Sequence, residues 1–375
     1  MKKYGLLVLA ITMFIPATNT PAEDQVVYLA SIADKTVTTF KVNADSGELT
    51  SLAVLELPSA PGAMDLSPCG KFVYAAMADR DPETKEATAF VATLKREADG
   101  SLVLAGNARI ATRPPYIRSD DSGQYLMMAH YATGEINVYR IRDGIVTSEH
   151  LDYHKTEKTA HCVEMDPSGK FVFVPHTGPN KVYQYRLNAD TGKLIPNDPP
   201  FVSGPDEDHQ YHQPRHITFD PTLQRAYTSN ERGGGISAYG FDPQKGTLTL
   251  QQTLSALPEG YQGGAAAADI RISPNGKFVY VSNRDLEDRD PHADSIAAFS
   301  ISRRGVLKRV GTYPTVWFPR SMTIDASGHF LYAAGQKSGT LQAYRIDQKS
   351  GALQSLHTYD VGDGAIWVMC VNRSY

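Results

Sequence analysis

Apolar and polar residues alternate in short segments along the chain from about residue 26 to residue 372. Alternation with a period of two is typical of β-strands, because successive side chains point to opposite faces of a sheet. Clear examples begin at Val37, Val182 and Leu341, and each runs into a turn that contains Asp or Asn and then Gly. No long segment has the periodicity of an amphipathic helix. The pattern therefore predicts an all-β protein.

One unit of this pattern occurs seven times. Its clearest copies are LSPCGKFVYAA, MDPSGKFVFVP, ISPNGKFVYVS and IDASGHFLYAA. An aromatic residue or its equivalent recurs every 46 to 54 residues, at Tyr28, Tyr74, Met127, Phe173, Tyr227, Tyr280 and Tyr332. Each unit accommodates four short strands, A to D, with the aromatic residue in strand B. Seven four-stranded antiparallel units of this length predict a seven-bladed β-propeller.

The two ends of the chain predict how the ring closes. The first unit has no strand A before Val26, and a strand-like segment from Gly364 to Asn372 belongs to no unit. We expect this C-terminal strand to complete blade one, because closing the ring removes a free sheet edge.

The N-terminal segment has the pattern of a secretory signal. Two lysines precede the apolar run Gly5–Ala17, and small residues follow up to Ala22. A run of about 13 residues is shorter than the roughly 20 that a membrane span requires, although an uncleaved anchor is the alternative. We expect a signal peptide at 1–22, cleaved near Ala22, a propeller domain at 23–375, and a periplasmic or secreted protein.

Composition excludes several classes of partner. The chain carries 37 basic and 41 acidic side chains, which gives a formal net charge of −4. Because the two signs are interspersed, the sequence predicts no basic surface for nucleic acid and, once the signal is cleaved, none for a membrane. Three cysteines, Cys69, Cys162 and Cys370, lie in apolar runs without Cys-x-x-Cys spacing, which predicts buried thiols. The oligomeric state is left open.

The two faces of the predicted disc differ in sequence. A–B and C–D turns repeat Asp, Gly and Lys, as structural turns do, whereas B–C loops and D–A crossovers diverge. The position that ends strand B holds Ile32, Ala78, Tyr131, Thr177, Glu231, Arg284 and Gln336. The crossovers add His161, Arg215, His216, Asp269 and Arg320. Several arginines with a glutamate and a histidine predict an anion pocket with a general base. The alternative is that these side chains pair with one another and plug the channel.

Several segments resemble the seven-bladed β-propeller lactonases, which include propeller-type 6-phosphogluconolactonases and carboxy-cis,cis-muconate cyclases. The resemblance covers residues 26 to 372 and is carried most specifically by HQPRHITFDPTLQRAYTSNE, AADIRISPNGKFVYVSNR, FPRSMTIDASGHFLYAAGQKSGTLQAYRI and YDVGDGAIWVMCVN. It implies a central cleft. The chain departs from the family at Arg271, where members commonly have His, and in a longer loop after Arg284.

The resemblance also implies roles for particular residues. His161 and Glu231 would be the acid/base pair. Arg284 would be the third catalytic residue and, with Arg215, would hold the carboxylate or phosphate of the substrate. The expected substrate-binding residues are Arg215, Arg320, Gln336, His216 and Asp269.

The expected activity is hydrolysis of a sugar lactone of the aldonolactone type, by general-base attack of water, with no cofactor and no metal. Export favours an unphosphorylated lactone, since sugar phosphates are normally held in the cytoplasm. Three alternatives remain. The same residues suit a lactonising cycloisomerase of the carboxymuconate type, the fold suits a non-catalytic binding platform, and His209, His212 and His216 are candidate metal ligands.

Overall fold

A computed structural model describes residues 24–81, 83–84, 86–221, 225–287 and 289–374. Within these residues the chain forms 28 β-strands and no α-helix, so the all-β prediction is confirmed. No helix in this part of the chain has the length and apolar character needed to cross a bilayer. The predicted signal peptide, residues 1–22, lies outside the described residues.

The strands are numbered in chain order. The first fourteen are β1 (Gln25–Ser31), β2 (Thr36–Val42), β3 (Leu49–Glu56), β4 (Ala60–Leu66), β5 (Phe72–Arg80), β6 (Ala87–Arg96), β7 (Leu102–Ile110), β8 (Tyr116–Ser119), β9 (Tyr125–His130), β10 (Glu135–Arg142), β11 (Ile145–Lys155), β12 (Glu164–Met165), β13 (Phe171–His176) and β14 (Lys181–Leu187). The remaining strands are β15 (Leu194–Ser203), β16 (His212–Phe219), β17 (Arg225–Arg232), β18 (Gly235–Asp242), β19 (Thr247–Ser255), β20 (Ala265–Ile272), β21 (Phe278–Asp285), β22 (Ser295–Ile301), β23 (Leu307–Pro314), β24 (Pro319–Ile324), β25 (Phe330–Gly335), β26 (Thr340–Ile346), β27 (Leu353–Asp360) and β28 (Ala365–Asn372).

These strands form seven four-stranded antiparallel blades. Six blades follow chain order, from β4–β7 in blade two to β24–β27 in blade seven, and a single residue pair joins blades five and six, Arg232 with Ala266. Blade one has the order β28-β1-β2-β3. Strand β28 pairs with β1 from Gln25 opposite Asn372 to Ser31 opposite Ala365. The seven-bladed propeller and its closure by the C-terminal strand are confirmed.

The recurring aromatic position supplies the packing between blades. All seven anchor residues lie in strand B and are fully buried. A buried tyrosine needs a partner for its hydroxyl group. Four of the anchors donate a hydrogen bond to a backbone oxygen in the C–D turn of the next blade: Tyr28 to Gly100 (2.7 Å), Tyr74 to Gly144 (3.1 Å), Tyr280 to Gly351 (3.0 Å) and Tyr332 to Gly47 (2.9 Å). The repeat therefore encodes the contact between blades as well as the strand.

Bulges interrupt the inner strands at the end nearest the B–C loops. Pro214 pairs with Asn230 and His216 pairs with Ser229, so Arg215 is an extra residue in β16. Arg320 is the extra residue of β24 in the same way. Strands β4, β20 and β28 shift register at corresponding points. A bulge re-aims a side chain out of the pleat, and here it directs two arginines into the channel.

The cysteines are unpaired, and one differs from the prediction. Cys162 is buried and Cys370 is half-buried, but Cys69 is exposed. The prediction for Cys69 was wrong because this residue occupies the turn between β4 and β5 rather than either strand.

Candidate active site

A cavity of about 400 Å³ opens at the centre of the disc, on the face of the B–C loops and the D–A crossovers. Six of the seven blades contribute to its wall: Gly62, Ala63, Arg113, Pro114, Pro115, Tyr131, His161, Arg215, His216, Glu231, Arg320, Ile366 and Trp367. The bulged residues Arg215, Arg320 and Ile366 are among them. Trp367, which packs edge-on against Tyr116, separates this cavity from a second one of about 280 Å³ toward the turn face. The cavity is therefore a cleft that is closed at its inner end, and not a tunnel through the disc.

Glu231 stands at the end of β17 between two arginines. Its Oε1 lies 2.7 Å from Nη2 of Arg284 and 3.5 Å from Nε of Arg215. Glu231 retains a side-chain exposure of 23%, whereas the two arginines are almost completely buried. The carboxylate is thus the accessible member of the cluster.

Arg284 lies behind Glu231 and is absent from the residues that line the cavity. Its guanidinium carbon sits 5.2 Å from the ring centroid of Phe318, and it donates hydrogen bonds to the carbonyl oxygens of Ala266 and Ala267. Phe318 has a positive φ of 62°, which is strained for a bulky residue, and Asp294 accepts a hydrogen bond from its amide. Arg284 therefore fixes Glu231 rather than reaching the cleft.

His216 is held by a carboxylate on its inner side. Its Nδ1 donates to Oδ1 of Asp269 at 2.9 Å, which leaves Nε2 to accept a hydrogen bond from Nη1 of Arg215 at 3.2 Å. Asp269 also pairs with Arg271, 3.0 Å away, and accepts a hydrogen bond from the backbone N–H of Met322. Asp269 is buried behind the wall, so this residue positions His216 and Arg215 without reaching the cavity.

His161 lies next to this group and has no counter-charge of its own. Its ring centroid is 5.1 Å from that of His216 and 5.5 Å from that of Tyr131. Its Nδ1 is buried and has no hydrogen-bond partner among the described residues. A neutral imidazole therefore stands on the cavity wall.

The arginines dominate the electrostatics of the cavity. Burial lowers the pKa of His161 well below its usual value, and the charges of Arg215 and Arg320 lower it further. Burial alone would raise the pKa of Glu231, but the adjacent arginines reverse that effect and hold it below its ordinary value. Burial and Arg215 likewise lower the pKa of His216 to about 4. At neutral pH the site combines a carboxylate with two uncharged imidazoles.

The structure brings most of the predicted residues together. His161, Arg215, His216, Glu231 and Arg320 line one cavity, while Arg284 and Asp269 support it from behind.

Gln336 is not among the lining residues. Its backbone amide bonds to the oxygen of Phe318, and its side-chain Oε1 is buried without a partner in the described part of the chain.

Two of the three candidate metal ligands have other partners. His216 is turned toward Asp269, and the ring of His209 packs on Tyr211, 5.7 Å between centroids. Among the described residues no group of three or more His, Cys, Asp or Glu side chains is placed to hold a metal ion.

Arg113 was missed by the sequence analysis. It lies in the crossover between β7 and β8 and lines the cavity. In the Arg215 and Arg320 crossovers the arginine follows a proline, whereas Arg113 precedes Pro114 and Pro115. The position of Arg113 in a D–A crossover could have identified it. Because its proline follows rather than precedes the arginine, the sequence did not match the other two crossovers.

The family model described as Lactonase, 7-bladed beta-propeller matches residues 26–370. The chain belongs to this lactonase family. A 6-phosphogluconolactonase of Pectobacterium carotovorum is 32% identical over 349 residues, covering 92% of this chain and 98% of the relative. One from Yersinia pseudotuberculosis is 31% identical over 348 residues, covering 92% and 97%. The structure of a periplasmic gluconolactonase from Pseudomonas aeruginosa matches with a TM-score of 0.81 at 22% identity, covering 93% and 99%, which shows the fold alone.

The chain is accordingly a lactonase of the 6-phosphogluconolactonase type, a hydrolase whose substrate is a small-molecule lactone. The recognition of this family and the expectation of an enzyme are confirmed. The alternative of a non-catalytic binding propeller is set aside by the same family assignment.

Proposed function

We propose that the protein hydrolyses a sugar lactone of the aldonolactone type in this cavity. Glu231 is the general base, and the buried arginines stabilise the negative charge that develops during the reaction. The observation that carries the proposal is the accessible carboxylate of Glu231, held by Arg215 and Arg284 on the wall of the central cavity. A volume of about 400 Å³ lies within the range of small-molecule sites and accommodates a monosaccharide lactone.

Glu231 is favoured over His161 as the base by the balance of charge. If Glu231 takes the proton from water, the negative charge passes from its carboxylate to the carbonyl oxygen of the lactone, and both positions lie beside the same arginines. No new charge is created in a poorly solvated cavity, where isolated charges are costly. If His161 took the proton, an imidazolium would form beside Arg215 and Arg320, whose charges already depress its pKa.

The reaction then proceeds as an ordinary ester hydrolysis. Water attacks the lactone carbonyl carbon, and Glu231 accepts the proton. The developing oxyanion is stabilised by Arg215, where one well-placed donor is worth roughly 3 kcal/mol. The ring C–O bond breaks as the tetrahedral intermediate collapses, and the proton held by Glu231 passes to the leaving alkoxide to give the hydroxy acid. His161, as a neutral imidazole, orients the attacking water by a hydrogen bond.

The test measures acid release from glucono-1,5-lactone by the purified mature chain in the presence of a chelator. Glu231→Gln keeps the size of the side chain and removes the base, so kcat falls on the order of 10²–10⁴-fold. Arg215→Lys keeps one charge and loses the guanidinium geometry. Arg142→Gln, at an exposed arginine outside the cavity, serves as the matched control. Wild-type rates in Glu231→Gln, with the variant folded by thermal melting, would refute the assignment.

We also propose that the protein is exported and processed. The N-terminal sequence supports this proposal, with its basic start, short apolar run and small residues before Ala22. Mass spectrometry of the protein recovered from periplasm or medium is expected to show a chain that begins near residue 23. A chain with an intact N-terminus in the membrane fraction would instead support the uncleaved anchor.

A further inference from the structure

Four of the seven D–A crossovers contain a residue in the left-handed conformation, close to the start of the inner strand. These residues are Thr159 (φ 70°), Gln213 (φ 69°), Phe318 (φ 62°) and Gly364 (φ 77°). In an L-residue this conformation brings the Cβ atom too close to the following carbonyl oxygen, a cost that glycine avoids. Three of the four crossovers therefore hold a strained residue at equivalent points of the fold.

The left-handed crossovers are the ones that bring long side chains to the cavity from the bulge of the inner strand. The residues two positions further along are His161, Arg215, Arg320 and Ile366, and all four line the cavity wall. In the other three crossovers the equivalent first residues, Ala60, Arg113 and Ala266, are not left-handed. The residues two positions after them are Gly62, Pro115 and Ala268, which have short or cyclic side chains. The left-handed conformation therefore occurs where the bulge carries a long side chain.

Hydrogen bonds to the preceding blade hold the three strained residues. Each backbone amide donates to an acceptor in the B–C loop of that blade: Thr159 to the backbone oxygen of Tyr131 (2.7 Å), Gln213 to Oδ1 of Asn180 (2.9 Å) and Phe318 to Oδ1 of Asp294 (2.9 Å). A conformation that is unfavourable by itself persists only where its surroundings maintain it. The contact between successive blades therefore maintains the strain.

Gln213 separates the role of the backbone from that of the side chain. The ring of Phe318 packs on Arg284, and the hydroxyl group of Thr159 accepts a backbone hydrogen bond. The side chain of Gln213, by contrast, makes no hydrogen bond in the described part of the chain. Pro214 follows and disfavours the right-handed helical conformation of the residue before it. Position 213 therefore becomes extended if it leaves the left-handed region, which changes the angle at which the chain enters β16.

Arg215, two residues further on, requires one orientation. Its side chain is 1% exposed, and its guanidinium group donates to the oxygen of Ala268 (2.7 Å) and to Nε2 of His216 (3.2 Å). Its Nε lies 3.5 Å from Oε1 of Glu231. A buried guanidinium that missed these partners would be an uncompensated charge, which is costly. The backbone before Arg215 must therefore deliver the side chain at one angle.

We infer that Gln213 is a positioning residue, whose left-handed conformation, held by Asn180 of the preceding blade, directs Arg215 toward Glu231. The other two strained crossovers act in the same way on the side chains that they carry. This inference rests on the proposed roles of Glu231 and Arg215 in lactone hydrolysis. It assigns the function of Gln213 to its backbone, so a residue that accepts the left-handed conformation can replace it.

The experiment compares Gln213→Val with Gln213→Gly on glucono-1,5-lactone. Gln213→Val keeps the backbone N–H, but its β-branched side chain disfavours a positive φ. We expect this variant to lower kcat on the order of 10²-fold, the cost of a catalytic group displaced by about 1 Å. KM should change much less, because Arg215 acts on charge that develops in the transition state. Gln213→Gly should recover most of kcat, since glycine adopts the left-handed conformation freely.

Asp143 provides the matched control. It is exposed and left-handed (φ 51°), but it lies in the turn between β10 and β11 on the opposite face of the disc. Asp143→Val should lower the melting temperature as Gln213→Val does and leave kcat and KM unchanged. This pair separates a loss of stability from a loss of position.

Asn180→Gly perturbs the same contact from the preceding blade. Asn180 is itself left-handed (φ 56°), so glycine keeps the turn and removes the oxygen that accepts from Gln213. We expect a decrease in kcat in the same direction as that of Gln213→Val. If Gln213→Val does not fold, Asn180→Gly tests the inference in its place, and wild-type kcat in folded Asn180→Gly would then refute it.

The pH profile gives a readout that a purely structural role would not change. Arg215, Arg284 and Arg320 together hold the pKa of Glu231 below its ordinary value. Displacement of Arg215 removes part of this effect and raises the pKa, so the acid limb of kcat/KM should move to higher pH in Gln213→Val and not in Gln213→Gly. Carbon-13 NMR titration of the Glu231 carboxyl group, assigned by its loss in Glu231→Gln, measures the same pKa without turnover.

The outcomes distinguish the inference from the proposed function. If wild type hydrolyses no sugar lactone but Gln213→Val raises the pKa of Glu231, the proposed function fails and the positioning role stands. If wild type hydrolyses the lactone and folded Gln213→Val keeps both kcat and the pKa of Glu231, the positioning role is refuted and the activity stands. Equal losses of kcat in Gln213→Val and Gln213→Gly would also refute it, because the backbone conformation would then not be the cause.

Discussion

Asp269→Asn tests the buried charge network behind the cleft. The aspartate is 1% exposed and accepts hydrogen bonds from His216 and the backbone N–H of Met322, with Arg271 3.0 Å away. Asparagine has the same shape and keeps an oxygen for His216. It removes the negative charge that balances Arg271 and replaces the oxygen that accepts from Met322 and Arg271 with an NH2 donor, so the substitution tests the charge together with that acceptor.

The size of the effect follows from the pKa of the carboxyl group. Burial would raise it, but Arg271 and the hydrogen bond from His216 lower it from 3.8 to about 2. A shift of roughly 2 units corresponds to about 2.5 kcal/mol at 1.36 kcal/mol per unit. Breaking a buried ion pair costs roughly 3–5 kcal/mol, and the 28% exposure of Arg271 favours the lower end. We expect Asp269→Asn to lower the free energy of unfolding by about 3 kcal/mol at pH 7.

The dependence on pH has a definite sign. A carboxyl group whose pKa is depressed in the folded state contributes stability that is present above its unfolded pKa of about 3.9 and is lost as the pH falls toward 2. The difference between wild type and Asp269→Asn is therefore constant above about pH 5 and shrinks between pH 4 and pH 2.

Urea denaturation followed by tryptophan fluorescence, at steps from pH 7 down to pH 3, measures this difference. Asp190→Asn, at an exposed aspartate between β14 and β15, is the control and should change the free energy of unfolding by less than about 0.5 kcal/mol. A loss below about 1 kcal/mol at pH 7, or a difference that does not vary with pH, would show that Asp269 and Arg271 do not form the ion pair described.

Three further predictions concern the base, the contact between blades and the turns. Because arginines hold the pKa of Glu231 below its ordinary value, kcat/KM should stay level from pH 7 down to pH 5, and an acid limb with a midpoint of 6 or above would exclude Glu231 as the base. Tyr332→Phe leaves the backbone oxygen of Gly47 without its donor and should cost about 1–3 kcal/mol in urea denaturation; no change would contradict the role given to the anchor tyrosines. Gly47→Ala places a Cβ 2.2 Å from the ring of Phe330 at a φ of +74° and should lower the melting temperature more than Tyr332→Phe does; a smaller decrease would show that this turn relaxes freely.

The fold could be predicted from the sequence because the pattern of each four-stranded unit repeats along the chain. Each anchor position combines strand periodicity with a fixed distance to the next copy, and even Met127, which lacks the aromatic ring, lies fully buried in strand β9. Ring closure followed from a strand left over at one end and a strand missing at the other. These inferences needed only local patterns and the requirement that sheet edges be paired.

The sequence predicted which residues belong to the site, but it did not predict which of them face the cavity. Glu231 and Arg284 occupy equivalent places in neighbouring repeats, yet one faces the cavity and the other lies behind it. The bulges cause much of the remaining difference, because an extra residue breaks the two-residue alternation on which a sequence analysis relies. Trp367 is mostly buried, yet its ring also lines the cleft.

Closure by β28 has a mechanical consequence. The first residue of β1, Gln25, lies directly opposite the last residue of β28, Asn372, and the two strands are antiparallel. A force that pulls the chain ends apart therefore loads the hydrogen bonds of this strand pair one after another from that end, as a zipper is opened, instead of shearing them all together. A machine that pulls on the two ends can thus open the ring at blade one before the other blades bear load.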